Sequence, residues 1–180
     1  MNFRNLKAEE IDLRIGQVVK DKGVTLLCYQ NARCGMDILD ETVGAERWSR
    51  EHYEVKGNMF CRVGIMCGAS KGEPIWVYKS DCGVESNTEK EKGEASDSFK
   101  RALVNWGIGR ELYSAPFIWI TLSKDAFETD SKTQKVKLTK EAQKLINGFK
   151  VSNVEYREKV MTAITIVDCD GVVVYKWKEK

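Results

Sequence analysis

Three β-rich runs, Trp48 to Val55, Met59 to Ala69 and Ile75 to Val84, follow one another with only Lys56-Gly57-Asn58 and Lys71-Gly72-Glu73-Pro74 between them. Connections this short can only return the chain antiparallel, because a parallel crossover needs about a dozen residues or more. Glycine beside a polar residue is the chemistry of such reversals. The chain is therefore constrained to an antiparallel meander, one face of which must be covered. The cover follows directly. From Asn87 to about Tyr113 the pattern turns helical, with Ala95, Phe99, Ala102, Leu103 and Trp106 on one stripe. Gly107 and Gly109 loosen its far end, and Pro116 biases Ala115 away from helical geometry, so the helix must stop before that point. The expected fold class is α+β, a β-β-β-α core of meander and packed central helix, with a C-terminal β-hairpin.

The flanks are read on the same terms. Ile11, Ile15, Val18 and Val19 recur at helical spacing between Ala8 and Lys20, which predicts a short amphipathic helix ended by Asp21-Lys22-Gly23. Val24 to Tyr29 reads as a buried strand, and Asn31 as the cap of a helix carrying Met36, Leu39 and Val43 before Gly44. Ser123 to Lys150 is polar and lysine-rich, a solvated connection with one short helix around Thr139 to Ile146. Val151 to Val167 and Val172 to Trp177 are β-rich runs joined by Asp168-Cys169-Asp170-Gly171, in which Asp-Gly signals a hairpin. There is no internal repeat and no low-complexity stretch.

Charge limits what the surface can do. With 29 Lys and Arg against 27 Asp and Glu in 180 residues, the net charge is only +2. No global positive field surrounds the molecule, so any binding of nucleic acid requires the cations to be sorted in space. No run approaches the roughly 18 apolar residues of a membrane span, and the N-terminus lacks an apolar stretch after its charges, so a soluble protein of the cytoplasm is expected. The six cysteines form no C-x-x-C pair and read as reduced, mostly buried thiols. The single histidine, His52, stands apart from any close cysteine pair, so no metal site and no cofactor are expected.

Few residues offer chemistry. Gly68-Ala69-Ser70-Lys71-Gly72 lacks the Gly-Lys-Ser/Thr ending of a nucleotide-binding loop, and Gly107-x-Gly109 falls late in a helix rather than between strand and helix. Hydrolytic triads lack their parts. Glu54-Val55-Lys56 with Asp40 upstream loosely mimics a nuclease's metal site, yet such triplets arise readily by chance in a chain with 31% charged residues. The central helix is more informative. With Phe99 at the centre of the buried stripe, steps of about 100° place Asp97, Lys100, Arg101 and Val104 on the outward face. Two adjacent cations held by aromatic packing suit a phosphate backbone, although by periodicity alone such a pair is ordinary solvated surface. Trp48, Tyr53, Trp76 and Tyr78 alternate on predicted strands, where such rings are usually core rather than stacking partners for bases.

Small residues followed by Phe99-Lys100-Arg101-Ala102-Leu103 and Trp106-Gly107 resemble the helix signature of the Rad fifty-two/Rad twenty-two single-strand annealing family. Trp106-Gly107-Ile108-Gly109-Arg110-Glu111-Leu112-Tyr113 is similar to its phage and prophage members. Upstream, Ile38 to Gly44 followed by Trp48 resembles that family's helix, glycine and tryptophan before the meander, and Asp81-Cys82-Gly83-Val84 fits its strand end. The resemblance runs from about Leu26 to Tyr113.

That resemblance implies a core assembling into rings or helical arrays, with single-stranded DNA in a positive groove and its bases outward. The family's groove cations fall on Lys100 and Arg101, and a further groove arginine falls, with a one-residue offset, on Arg33. This chain has Val104 where eukaryotic members carry another arginine, and its Val84 to Glu94 loop is shorter, so no second DNA site is carried over. The expected organisation is an annealing core over 1–122, a polar connection over 123–150, and a C-terminal hairpin over 151–180 in the same domain. The implied activity is ATP-independent annealing of complementary strands in recombination, without enzymatic catalysis, with a phage exonuclease or host single-strand-binding protein as partner. The alternative is a non-enzymatic adaptor or assembly protein on the same fold that binds DNA weakly.

Overall fold

At both reversals of the meander, Lys56 (φ 54°) and Lys71 (φ 52°) take left-handed backbone and a glycine follows each, Gly57 (φ 78°) and Gly72 (φ 87°). Two consecutive positive φ angles match the twist of the flanking strands and make two-residue hairpin loops. The computed structural model describes residues 1–84, 90–131 and 133–180. In chain order its elements are β1 (Asp12–Val19), β2 (Gly23–Tyr29), α1 (Ala32–Val43), β3 (Trp48–Val55), β4 (Asn58–Ser70), β5 (Glu73–Cys82) and α2 (Lys90–Trp106). There follow β6 (Ile118–Thr121), β7 (Phe127–Thr129), β8 (Val136–Leu138), α3 (Lys140–Asn147), β9 (Lys150–Arg157), β10 (Val160–Val167) and β11 (Val173–Lys178). Among the described residues all strand pairs are antiparallel, and the class is α+β, as the sequence predicts. The chain forms two compact units, one of Met1–Leu6 with Gln30–Arg110, the other of Lys7–Tyr29 with Glu111–Lys180.

In the first unit the sheet order is β3-β4-β5. Alternation along β4 turns Cys61, Val63 and Ile65 inward, where they are wholly buried with Phe99, Ala102 and Leu103 of α2. Asn31 caps α1 by accepting from the Cys34 amide at 2.9 Å, and Gly44 follows its last turn, both as expected. The expected start of the long helix at Asn87 lies outside the described residues. Its end is earlier than Tyr113: α2 stops at Trp106, and Arg110–Ser114 is a separate 3-10 turn. Gly107 takes φ 95°, and the Arg110 guanidinium donates to the Val104 carbonyl (2.8 and 3.1 Å) and the Asn105 carbonyl (3.2 Å). Helix-terminal carbonyls are thus satisfied by a side chain beyond the helix.

The second unit corrects the reading of the N-terminal flank. Ala8 to Lys20 is no amphipathic helix but a 3-10 turn, Ala8–Glu10, followed by β1. The reason lies in a β-bulge. Leu13 and Ile15 face Cys28 and Leu26, the register then slips, and Val18 faces Val24. The residues inserted at Gly16-Gln17 turn a strand's two-residue period into a three-residue step that imitates a helix. The Thr25 hydroxyl receives the Gln17 amide at 2.8 Å at the slip.

Ser123 to Lys150 is also more ordered than a solvated connection. It holds the β7–β8 hairpin as well as α3, which Thr139 caps. Strands of three residues are too short for alternation to reveal. β6, which the sequence does not single out, pairs with β2. At the C-terminus the β10–β11 hairpin forms where Asp-Gly places it, with Asp168 accepting from the Asp170 and Val172 amides at 3.0 and 2.8 Å. The run Val151 to Val167 is itself folded at Glu158 (φ 57°), so β9 joins the same sheet, order β11-β10-β9.

The cysteines separate by depth, which makes the packing testable. Cys34 and Cys61 are buried, Cys28 and Cys82 half-buried, and Cys67 and Cys169 exposed; none is in a disulfide. Burial pushes the Cys28 and Cys61 thiols up to about 11. At pH 8 that leaves about one part in a thousand as reactive thiolate, and the fraction rises only as pH approaches the raised value. Mass spectrometry after brief iodoacetamide treatment at pH 8 should find Cys67 and Cys169 alkylated and Cys61 unmodified until the chain is denatured. Early labelling of Cys61 would mean that α2 does not stay on the sheet.

Candidate nucleic-acid interface

Phe99 anchors α2. It is 1% exposed, its ring stacks on Trp48 at 6.3 Å, and the Arg50 guanidinium lies 5.0 Å from its centre. About two turns further on, the Trp106 indole donates to the Val63 carbonyl at 3.1 Å, and the Lys79 ammonium sits 4.5 Å above that indole while donating to the Asn105 carbonyl at 2.8 Å. Aromatic contact, cation–π attraction and hydrogen bonds to backbone fix the rotation of α2 about its axis. Whatever the outer residues of this helix do, they do from a rigid support.

Arg101 is exposed and Lys100 half-buried on that helix. The Arg101 Nε lies 3.3 Å from Asp81 Oδ1, with both side chains partly in solvent. Asn105 joins this group, donating to the Ser80 carbonyl at 3.0 Å and toward Asp81 Oδ2 at 3.4 Å. Partly exposed ion pairs of this kind are worth at most about 1 kcal/mol, so Asp81 orients the guanidinium without consuming its charge. The outward face is less open than periodicity suggests: the Asp97 carboxylate accepts from the Val84 amide at 3.1 Å, and Val104 is half-buried.

Arg33 is exposed near the start of α1. The two helices touch closely, because a Cβ on Gly35 would lie 2.2 Å from Cδ1 of Leu103. Arg33, Lys100 and Arg101 therefore all stand within about one helical turn, some 5 Å along the axis, of the α1–α2 crossing. Sequence reasoning reached these three cations through resemblance. It did not reach Asp81 as the partner of Arg101, nor Arg110 as the cap of α2; an acid on the inward phase of β5 was the available signal for the first.

The remaining candidates have structural occupations. Asp40 accepts from the Trp48 indole at 2.6 Å, and His52 Nε2 lies 3.0 Å from the Ala95 carbonyl. Among the described residues no three His, Cys, Asp or Glu side chains gather as metal ligands would. Nor is any described helix long and apolar enough to cross a membrane.

Residues 4–131 match the sequence model described as Rad52/22 family double-strand break repair protein. No individual curated protein matches the chain. The match spans the meander, the braced α2 and both helices that carry the three cations, and the chain belongs to the Rad52/22 family of double-strand break repair proteins.

Proposed function

We propose that this protein anneals complementary single strands without ATP, as an oligomeric ring or helical array, and catalyses no covalent step. Members of the family bind single-stranded DNA and anneal it in repair and recombination. The observation that carries the finer reading is the pair Lys100 and Arg101 on a helix whose rotation is fixed by Phe99 and Trp106. Cations on a rigid support bind the sugar–phosphate backbone without reading sequence, which an annealing protein requires because it must accept any strand. Arg33 adds a third contact from α1. An array of protomers multiplies these weak sites into avidity that a domain of net charge +2 lacks alone.

The phage-like stretch Trp106 to Tyr113 supports a bacteriophage or prophage role in the bacterial cytoplasm. There an exonuclease would expose the strands and a host single-strand-binding protein would hold them.

The test is annealing of two complementary labelled oligonucleotides without nucleotide or metal, over a salt series, beside light scattering on a sizing column. Rapid annealing by a large oligomer, lost as salt rises, is the expected result. A chain that neither binds nor anneals at low salt would instead be an assembly protein on the same fold.

A further inference from the structure

In the sheet β1-β2-β6 of the second unit one face is buried and the other partly exposed, with Thr25 still buried at its centre. Leu26, Ile118 and Ile120 point to the core. The opposite phase carries Arg14, Leu27, Trp119 and Phe117: Arg14 lies directly across from Leu27, and Thr25 across from Trp119. Phe117 is 75% exposed and Leu27 is 44% exposed. The rings of Phe117 and Trp119 are nearly parallel, 10° apart with centroids 6.4 Å apart. Gly16 keeps this floor low, since a Cβ there would come within 2.8 Å of the Thr25 hydroxyl and 3.0 Å of Leu27 Cγ.

An exposed apolar ring at the surface costs solvation, and two parallel rings, one exposed and one half-buried, on a sheet whose far strand carries a guanidinium suit flat, π-faced ligands joined by anions. We infer that this face is a base-stacking platform, on which unpaired bases of single-stranded DNA lie against Phe117 and Trp119 while Arg14 meets the backbone. The inference rests on the single-strand-binding reading above and assigns a contact outside the α2 cations. Charge assists modestly. Arg14 and the turn cations Lys20 and Lys22 are exposed around the sheet, against Asp12, which faces Tyr29, and Asp21 in the turn.

The other aromatic face differs in the respect that matters. On the outer side of the meander, Tyr53 and Tyr78 already have the Arg62 guanidinium 5.9 and 5.1 Å from their ring centres, and Arg62 is paired with Glu51. A base would have to displace that cation. Phe117 and Trp119 have each other, and the outer surface of Phe117 is left to solvent.

The experiment compares two probes by fluorescence anisotropy with the full chain: an oligothymidine of about 30 nucleotides and an abasic sugar–phosphate strand of equal length. Wild type should prefer the strand with bases. Phe117→Ala should lose about tenfold in affinity for oligothymidine and little for the abasic strand, and Phe117→Trp should restore the preference. Because Phe117 is mostly solvent-exposed, its replacement should leave the melting temperature unchanged. Equal losses on both probes, or no loss, would overturn the platform while leaving single-strand binding intact. A smaller particle on the sizing column with unchanged base preference would overturn it too, and would mark the face as a contact between copies. Failure of wild type to bind either probe would remove the single-strand reading itself.

Discussion

Replacing both Lys100 and Arg101 with alanine should reduce affinity for single-stranded DNA by up to about 25-fold at 0.1 M salt. The figure follows from counterion release. Each phosphate neutralised on a single strand contributes about 0.7 to the slope of log K against log salt, so two cations contribute about 1.4. Extrapolated from molar salt, where that contribution vanishes, to 0.1 M, a slope of 1.4 is a factor of about 25. The pairing of Arg101 with Asp81 at 3.3 Å makes this an upper value, because the guanidinium must turn partly from carboxylate to phosphate. Loss should be even across base sequences, since backbone contacts carry no sequence information. The discriminating readout is the slope rather than the affinity. A double variant with reduced affinity and an unaltered slope would show that the two residues act on assembly instead of touching phosphate. Arg33→Ala, tested alone, should flatten the slope by about half as much as the double variant.

The largest expected effect on stability comes from a glycine. Gly83 follows β5 beneath α2, and a Cβ there would lie 2.1 Å from the Glu94 carbonyl oxygen and 2.9 Å from the Ser98 amide nitrogen. Both are backbone atoms within a helix, so neither can rotate away as a side chain would. Gly83→Ala should therefore cost about 3 kcal/mol, the upper end of overpacking, and lower the melting temperature by about 6–12 °C for a chain of this size. Gly57→Ala is the control. At the β3–β4 turn nothing lies within 4 Å, and the only penalty is the positive φ of 78°, about 1–2 kcal/mol. If the two substitutions cost the same, close approach of helix to sheet is not what Gly83 provides. Because Gly83 immediately follows the strand that bears Asp81, the same substitution should also weaken DNA binding by displacing the support of Arg101.

Both expectations depend on how tightly the helix is held, and much of that holding was legible in the residues. Ala95, Phe99, Ala102, Leu103 and Trp106 announce the buried stripe by their spacing, and Phe99, Ala102 and Leu103 are indeed almost wholly buried. Lys56-Gly57 and Lys71-Gly72 announce their reversals, as Asn31 and Gly44 announce the bounds of α1, because each satisfies a local need of the backbone that few residue types can meet. The three candidate cations were carried over by resemblance rather than read from spacing, and the match over residues 4–131 places the chain in that family.

What stayed hidden was whatever depends on partners distant in the chain. The strand β1 imitates a helix until its bulge against β2 is seen, for a period can be judged only once the opposing register is known. Strands of three residues, such as β7 and β8, carry too few alternations to be read alone. The pairing of Arg101 with Asp81, twenty positions away, exists only after β5 and α2 have met, and the face to which Phe117 and Trp119 turn is set only when β6 pairs with β2. The residues by themselves determined the antiparallel meander, the buried face of its helix and the caps and turns, since these answer to local geometry and spacing. Which cation is oriented by which acid, which strand slips, and which aromatic pair faces water were decided only by the tertiary structure, because each is a relation between segments that the order of residues does not bring together.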